Sequence, residues 1–176
     1  TAGITHGALG TQTVKLGTTI GNIGIEGFSR DPFSGGFIVA KAQSPIGLFQ
    51  TAINFAAGTA SNGSPSTVNS INLFNPSLLG LADIADVFSL SNLPLLSGSA
   101  DYSHLLVLSE ASGRILEIDR AGNIFSSLSV GTAGQHEGLT MDDQGRLYVV
   151  GELSGSSGGS GLCRPHRRLL ESERAR

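Results

Sequence analysis

The sequence predicts an all-β chain, and three observations carry that reading. The first is a passage that occurs twice. Glu26-Gly27-Phe28-Ser29-Arg30-Asp31 runs through a turn into Gly36-Phe37-Ile38-Val39-Ala40, and Glu137-Gly138-Leu139-Thr140-Met141-Asp142 runs through Asp143-Gln144-Gly145 into Arg146-Leu147-Tyr148-Val149-Val150. The second is composition: 25 Gly among 176 residues, with no Trp and few charges, favours short strands joined by turns over helices. The third is that helical periodicity is weak everywhere except over Leu169–Arg176. Short strands at regular intervals leave a sandwich, a barrel or a propeller. A repeated hairpin unit selects the propeller.

The elements follow in order. Residues 1–20 alternate loosely around Thr13-Val14-Lys15-Leu16 and suit one strand. Gly21 to Val39 is the first strand–turn–strand unit, reversed at Asp31-Pro32-Phe33-Ser34-Gly35-Gly36, where Pro presets φ and Gly accepts positive φ. Ile46–Gln50 is the next strand, after a turn at Ser44-Pro45. Residues 54–77 are rich in Ala, Gly, Ser and Asn and read as an irregular insertion with one strand near Val68–Leu73. Leu81–Phe88 reads as a second innermost strand, followed by a Pro/Gly/Ser interruption over Leu93–Asp101. Leu105–Leu108, Ile115–Asp119 and Ile124–Leu128 complete that unit, before the second Glu-Gly hairpin. The domain boundary falls at 153. Residues 154–176 are a Gly/Ser linker and an Arg-rich tail expected to be disordered.

Charge and cysteine exclude more than they assign. The net charge is −3, and 163–176 carry five Arg against two Glu, which leaves the remainder at −6 and gives no electrostatic reason for nucleic acid as a partner. No run of 18 apolar residues predicts a transmembrane segment. The chain begins at Thr1, without a signal peptide of its own. Cys163 stands alone, so a disulfide scaffold is excluded.

The ordered motifs Ile25-Glu26-Gly27-Phe28, Phe37-Ile38-Val39-Ala40-Lys41, Ala82-Asp83-Ile84-Ala85-Asp86, Leu105–Glu110 and Glu137-Gly138-Leu139-Thr140 resemble the SdiA-regulated family, a bacterial family related to esterase-like phytase proteins. Arg114–Gly122 and Gly145–Glu152 extend the likeness, which covers about residues 20–152. The resemblance implies a six-bladed β-propeller, exported or envelope-associated and so extracellular or periplasmic, with calcium in some members. Two departures stand out. Ala42 occupies the place where Glu follows the buried strand in Ser109-Glu110 and Gly151-Glu152. At about 40–45 residues per propeller blade the chain holds about three blades, which predicts a fragment.

In a propeller the first strand of each blade lines the channel. Glu26, Asp83 and Glu137 read as equivalent positions there, and converging carboxylates repel unless a cation neutralises them. Oxygen donors without a Cys or His pair select Ca²⁺ over zinc or copper. The plainer expectation is that each acid caps a turn. Glu110 and Glu152 form a second column, read as bridging to a neighbouring blade. His136, beside Glu137, is the one candidate general base, although a hydrogen-bonded loop role suits it better; His104 reads as surface. Gly155-Ser156-Ser157-Gly158-Gly159 matches G-x-S-x-G only formally, because a nucleophile elbow needs a strand before and a helix after it. Asp119–Asn123 and Asp142–Gly145 are read as β-turns and not as calcium loops. The expected function is a non-catalytic binding or scaffold module with a small-molecule or protein partner. The alternative is a metal-dependent esterase or phosphoesterase.

Overall fold

The computed structural model describes residues 24–61, 72–131, 134–153 and 164–166. It is all-β. Among the described residues eleven strands fall into three antiparallel sheets, none closed into a barrel. The first sheet runs β1 (Ile25–Asp31), β2 (Gly36–Lys41), β3 (Gly47–Asn54) and β4 (Thr59–Ser61) as a meander. The second repeats that order with β5 (Asp86–Ser89), β6 (Leu105–Ser109), β7 (Arg114–Ile118) and β8 (Ile124–Ser129). In the third, β9 (Gly134–Met141) pairs with β10 (Leu147–Leu153), and β10 with β11 (Arg164–His166). Short 3-10 turns occupy Pro76–Leu79, Leu90–Asn92, Pro94–Leu96 and Ala100–Ser103.

One register runs through all three sheets. Val39, Val107 and Val149 stand opposite Phe28, Val87 and Leu139 in their respective first pairs. Because facing residues in an antiparallel pair share a face, the second sheet turns one face toward the first sheet and the other toward the third. Between the first two sheets Ile38, Ala40 and Leu48 meet Val87, Leu105, Val107 and Ile118. Between the second and third, Leu106, Leu108 and Ile115 meet Leu139, Leu147 and Val149. β5 packs on both β1 and β9, so the three first strands are neighbours.

Several expectations change here. The second first strand is Asp86–Ser89 and not Leu81–Phe88. Leu81–Ala85 is instead the passage between sheets: Ile84 N donates to Ala42 O at 3.0 Å, while Ala85 N donates to Leu108 O at 2.9 Å. Residues 54–77 are not wholly irregular, since β3 and β4 form a hairpin there and Asn72 bridges to Phe49. Within the tail expected to be disordered, Arg164–His166 pairs with β10. The strand over 13–16, the residues 68–71 of the inserted strand, Cys163 and the Gly/Ser run lie outside the described residues.

Candidate functional site

The glycine of the first Glu-Gly pair is explained by the contact of first strands. A side chain at Gly27 would bring a Cβ to 2.8 Å from Val87 N and 2.9 Å from Asp86 Cα, so β1 and β5 touch backbone to backbone. The register puts Asp86 level with Gly27 and Gly138. Its carboxylate lies where the three first strands meet. Val87 N donates to Oδ1 at 2.8 Å, Leu139 N donates to Oδ2 at 2.8 Å, and the backbone N–H of Phe28 also reaches it. Burial raises the Asp86 pKa above the ordinary carboxylate range, and these backbone donors offset only part of that rise.

The three acids singled out in the sequence do not form one cluster. Glu26 in β1 and Glu137 in β9 are both exposed. Asp83 lies three residues before the register position, and its Oδ1 accepts from Ser109 Oγ at 2.5 Å and from Ala111 N at 3.1 Å. Those bonds fold the turn after β6. Alternation across Leu81–Phe88 cannot separate Asp83 from Asp86, so only the register reveals which acid reaches the strand junction. His136 is half-buried in β9 opposite Gly151, and its Nδ1 is buried without a partner among the described residues. Glu110 is half-buried in the β6–β7 turn, and Glu152 is exposed in β10.

The side chains that do come together with metal-ligand chemistry are Asp101, His104 and Glu117. Among the described residues their donor atoms all lie within 4.8 Å of one another. His104 Nδ1 is 2.9 Å from Glu117 Oε1 and 3.9 Å from Asp101 Oδ1. Ser126 Oγ donates to Glu117 Oε2 at 3.0 Å, and the Phe125 ring stacks on the imidazole at 4.4 Å. His104 is therefore buried, at 5% exposure, and not a surface residue. One imidazole with two carboxylates suits a borderline divalent ion better than Ca²⁺, which prefers oxygen alone. The same contacts also serve as a buried His–Glu hydrogen bond that closes the outer edge of the second sheet. A histidine at a strand entry, with an acid in the partner strand, is the sequence signal that could have marked the pair.

A third polar assembly joins the first two sheets. Arg120, in the β7–β8 turn, donates through Nη1 to Asp31 Oδ2 at 2.9 Å and through Nη2 to Asp31 Oδ1 at 2.7 Å. Ser89 Oγ and Ser91 Oγ donate to the same Oδ1 at 2.7 Å and 3.0 Å. Arg120 Nε donates to Ser103 O, and the guanidinium lies 5.0 Å from the Phe33 ring centroid. Burial alone would raise the Asp31 pKa, but the bonds from Arg120, Ser34 and Ser89 outweigh it and lower the value to about 2. A carboxylate with its acceptor sites so occupied is a structural tie and not a free ligand.

A family model for SdiA-regulated proteins matches residues 5–154. The chain belongs to the SdiA-regulated family. Membership fits the repeated strand register described above, and the matched span takes in all but the last of the strands.

Proposed function

We propose that this SdiA-regulated chain is a non-catalytic binding or scaffold module of the bacterial envelope, folded as part of a six-bladed β-propeller. The observation that carries the reading is the shared register that sets β1, β5 and β9 beside one another as the first strands of successive meanders. Radial repetition of that kind builds a propeller, whose axial mouth is a recognition surface. The family supports the envelope assignment. No helix among the described residues is long and apolar enough to cross a membrane.

The partner is a small molecule or protein that meets the mouth where Glu26 and Glu137 are exposed. Their carboxylates are the oxygen donors for a Ca²⁺ ion on that side, whereas Asp83 is held by Ser109 and Ala111 and contributes by fixing the turn. Calorimetric titration with Ca²⁺ tests this. Heat of binding in the parent that disappears in Glu137→Gln is expected; no binding in either protein removes the ion from the reading.

A second reading, a metal-dependent esterase or phosphoesterase, draws on one observation. Among the described residues His136 keeps a buried, unpartnered Nδ1 beside Glu137, as a general base awaiting a substrate proton would. Assays with generic esters and phosphoesters decide between the two. Absence of turnover with or without divalent ions is expected. Metal-dependent hydrolysis lost in both Glu26→Gln and His136→Ala would replace the scaffold reading with the enzyme.

A further inference from the structure

The Asp101–His104–Glu117 cluster holds one feature that a buried His–Glu hydrogen bond leaves unexplained. His104 Nδ1 carries at most one proton, and Glu117 Oε1 at 2.9 Å is placed to share it. Asp101 Oδ1 stands 3.9 Å from the same nitrogen, beyond hydrogen-bond reach. Among the described residues the Asp101 carboxylate accepts no hydrogen bond. Two carboxylates therefore converge on a nitrogen that can satisfy only one of them.

Bonds from outside the cluster hold its members in place. Ser126 Oγ in β8 donates to Glu117 Oε2 at 3.0 Å, which leaves Oε1 for the imidazole, and the Phe125 ring stacks on that imidazole. Arg120 Nε donates to Ser103 O at 2.6 Å and so ties down the turn Ala100–Ser103 that carries Asp101. Outer contacts of this kind orient the ligands of a metal centre. The His104 and Glu117 side chains are 6% and 9% exposed, whereas that of Asp101 is 29% exposed and gives an ion its way in.

The distances suit a small ion. Zn²⁺ bonds of about 2.0–2.2 Å set neighbouring ligands about 3.3–3.5 Å apart on a tetrahedron. The separations of 2.9 Å and 3.9 Å straddle that value, and no pair exceeds 4.8 Å. Asp101, with no hydrogen bond to give up, is the arm that closes the remainder. Ca²⁺ takes about six to eight oxygens, more than these two carboxylates supply, and an imidazole nitrogen favours a borderline ion.

We propose that Asp101, His104 and Glu117 bind one divalent ion of the zinc class through Oδ1, Nδ1 and Oε1. The proton on Nδ1 moves to Nε2 or to solvent as the ion takes its place. Three protein ligands leave one tetrahedral position for water. The site is separate from the Ca²⁺ position at the mouth. Glu26 and Glu137 adjoin Gly27 and Gly138, level with Asp86 at the start of β5, whereas His104 adjoins Leu105, which faces Ser89 at the end of β5. The zinc-class site therefore stands or falls without the propeller reading.

Calorimetric titration of the metal-free full chain with Zn²⁺ tests the proposal. One bound equivalent is expected, with an unfolding temperature that rises with Zn²⁺ concentration. Asp101→Asn, at a solvent-facing position, is expected to keep cooperative unfolding and to bind at least about a hundredfold more weakly, and Ser126→Ala about tenfold more weakly. Cys163→Ser, which removes the single thiol of the chain, is expected to bind as the parent does. Zn²⁺ binding that survives undiminished in both Asp101→Asn and His104→Gln overturns the assignment; should His104→Gln unfold, Asp101→Asn decides alone. Binding lost in Cys163→Ser overturns it as well. Ca²⁺ held at these three residues more tightly than Zn²⁺ overturns the class of ion. A parent that takes up no Zn²⁺ reduces the cluster to its hydrogen bonds and overturns the site.

Discussion

Asp31 and Asp142 occupy the same place in the repeat, each at the end of a Glu-Gly strand, yet they spend their carboxylates on different neighbours. Asp31 is fully buried, and its partner Arg120 comes from the next sheet. Asp142 sits in the third sheet and binds within its own turn. Gln144 N and Arg146 N donate to Oδ1, while Arg146 Nε and Tyr148 Oη donate to Oδ2. Both acids are lowered to about 2 although burial acts to raise each of them. For Asp31 the largest counteracting bond, from Arg120, comes from another sheet, with Ser34 of its own turn and Ser89 adding to it; for Asp142 all come from residues a few positions away. The lesson is that a repeat fixes where an acid stands, whereas the neighbouring sheet decides whether it ties the fold together or only closes a turn.

The sharpest way to break the comparison is to remove each acid. Asp31→Ala leaves the Arg120 guanidinium without its counter-ion against Phe33, and breaking one side of a buried pair costs about 3–5 kcal/mol. Asp142→Ala removes contacts at a solvent-facing turn, where water replaces what is lost, and a much smaller change is expected. Urea unfolding midpoints of the two variants measure the difference. Equal losses would mean that the inter-sheet pair carries no more of the stability than the turn does.

Acid titration probes the same pair more gently. The folded-state pKa of Asp31 lies below its unfolded value, so the pair's contribution is fully present above about pH 4. It is lost as pH falls toward 2. A drop from 3.8 to about 2 corresponds to about 2 kcal/mol. In Asp31→Asn the acid limb of the stability curve is expected to flatten by that amount. In Asp142→Asn it is expected to change far less, because solvent screens that carboxylate. Chemical unfolding at closely spaced pH values, followed by tyrosine fluorescence, gives both curves.

Much of the fold could be read from the chain because its repeat is written twice in nearly the same letters. The hairpins at Glu26 and Glu137, the strands β6 to β8, and the turns at Asp119 and Asp142 all follow from local alternation and turn chemistry. At Asp119 the carboxylate accepts from Ala121 N and Asn123 N while Gly122 takes φ of 88°, as a β-turn requires. The middle unit lacks the Glu-Gly signature. Ala85-Asp86 stands in its place, and Asp83 offers a decoy three residues earlier. Choosing between those acids needs the pairing of β5 with β6, which is a long-range fact. The Asp31–Arg120 tie and the His104–Glu117 pair were hidden for the same reason. Each joins residues whose nearness is made by sheet packing or cross-strand pairing and not by sequence spacing.

The two glycines of the repeat give the finest test, because they are identical in sequence and unequal in surroundings. At Gly27 a methyl group would press on the backbone of Val87 and Asp86 at 2.8–2.9 Å, and backbone cannot step aside as a side-chain tip can. Gly27→Ala is expected to cost about 1–3 kcal/mol through that overpacking. At Gly138 the nearest atom to such a methyl is Asp86 Oδ2 at 3.7 Å, an ordinary contact. Gly138→Ala is expected to leave stability within about 0.5 kcal/mol, since relief of unfolded-state entropy offsets what little crowding arises. Thermal unfolding of both variants decides the point. A costly Gly138→Ala would mean that β9 approaches β5 as closely as β1 does, and that the third sheet is seated on the second as tightly as the second is on the first.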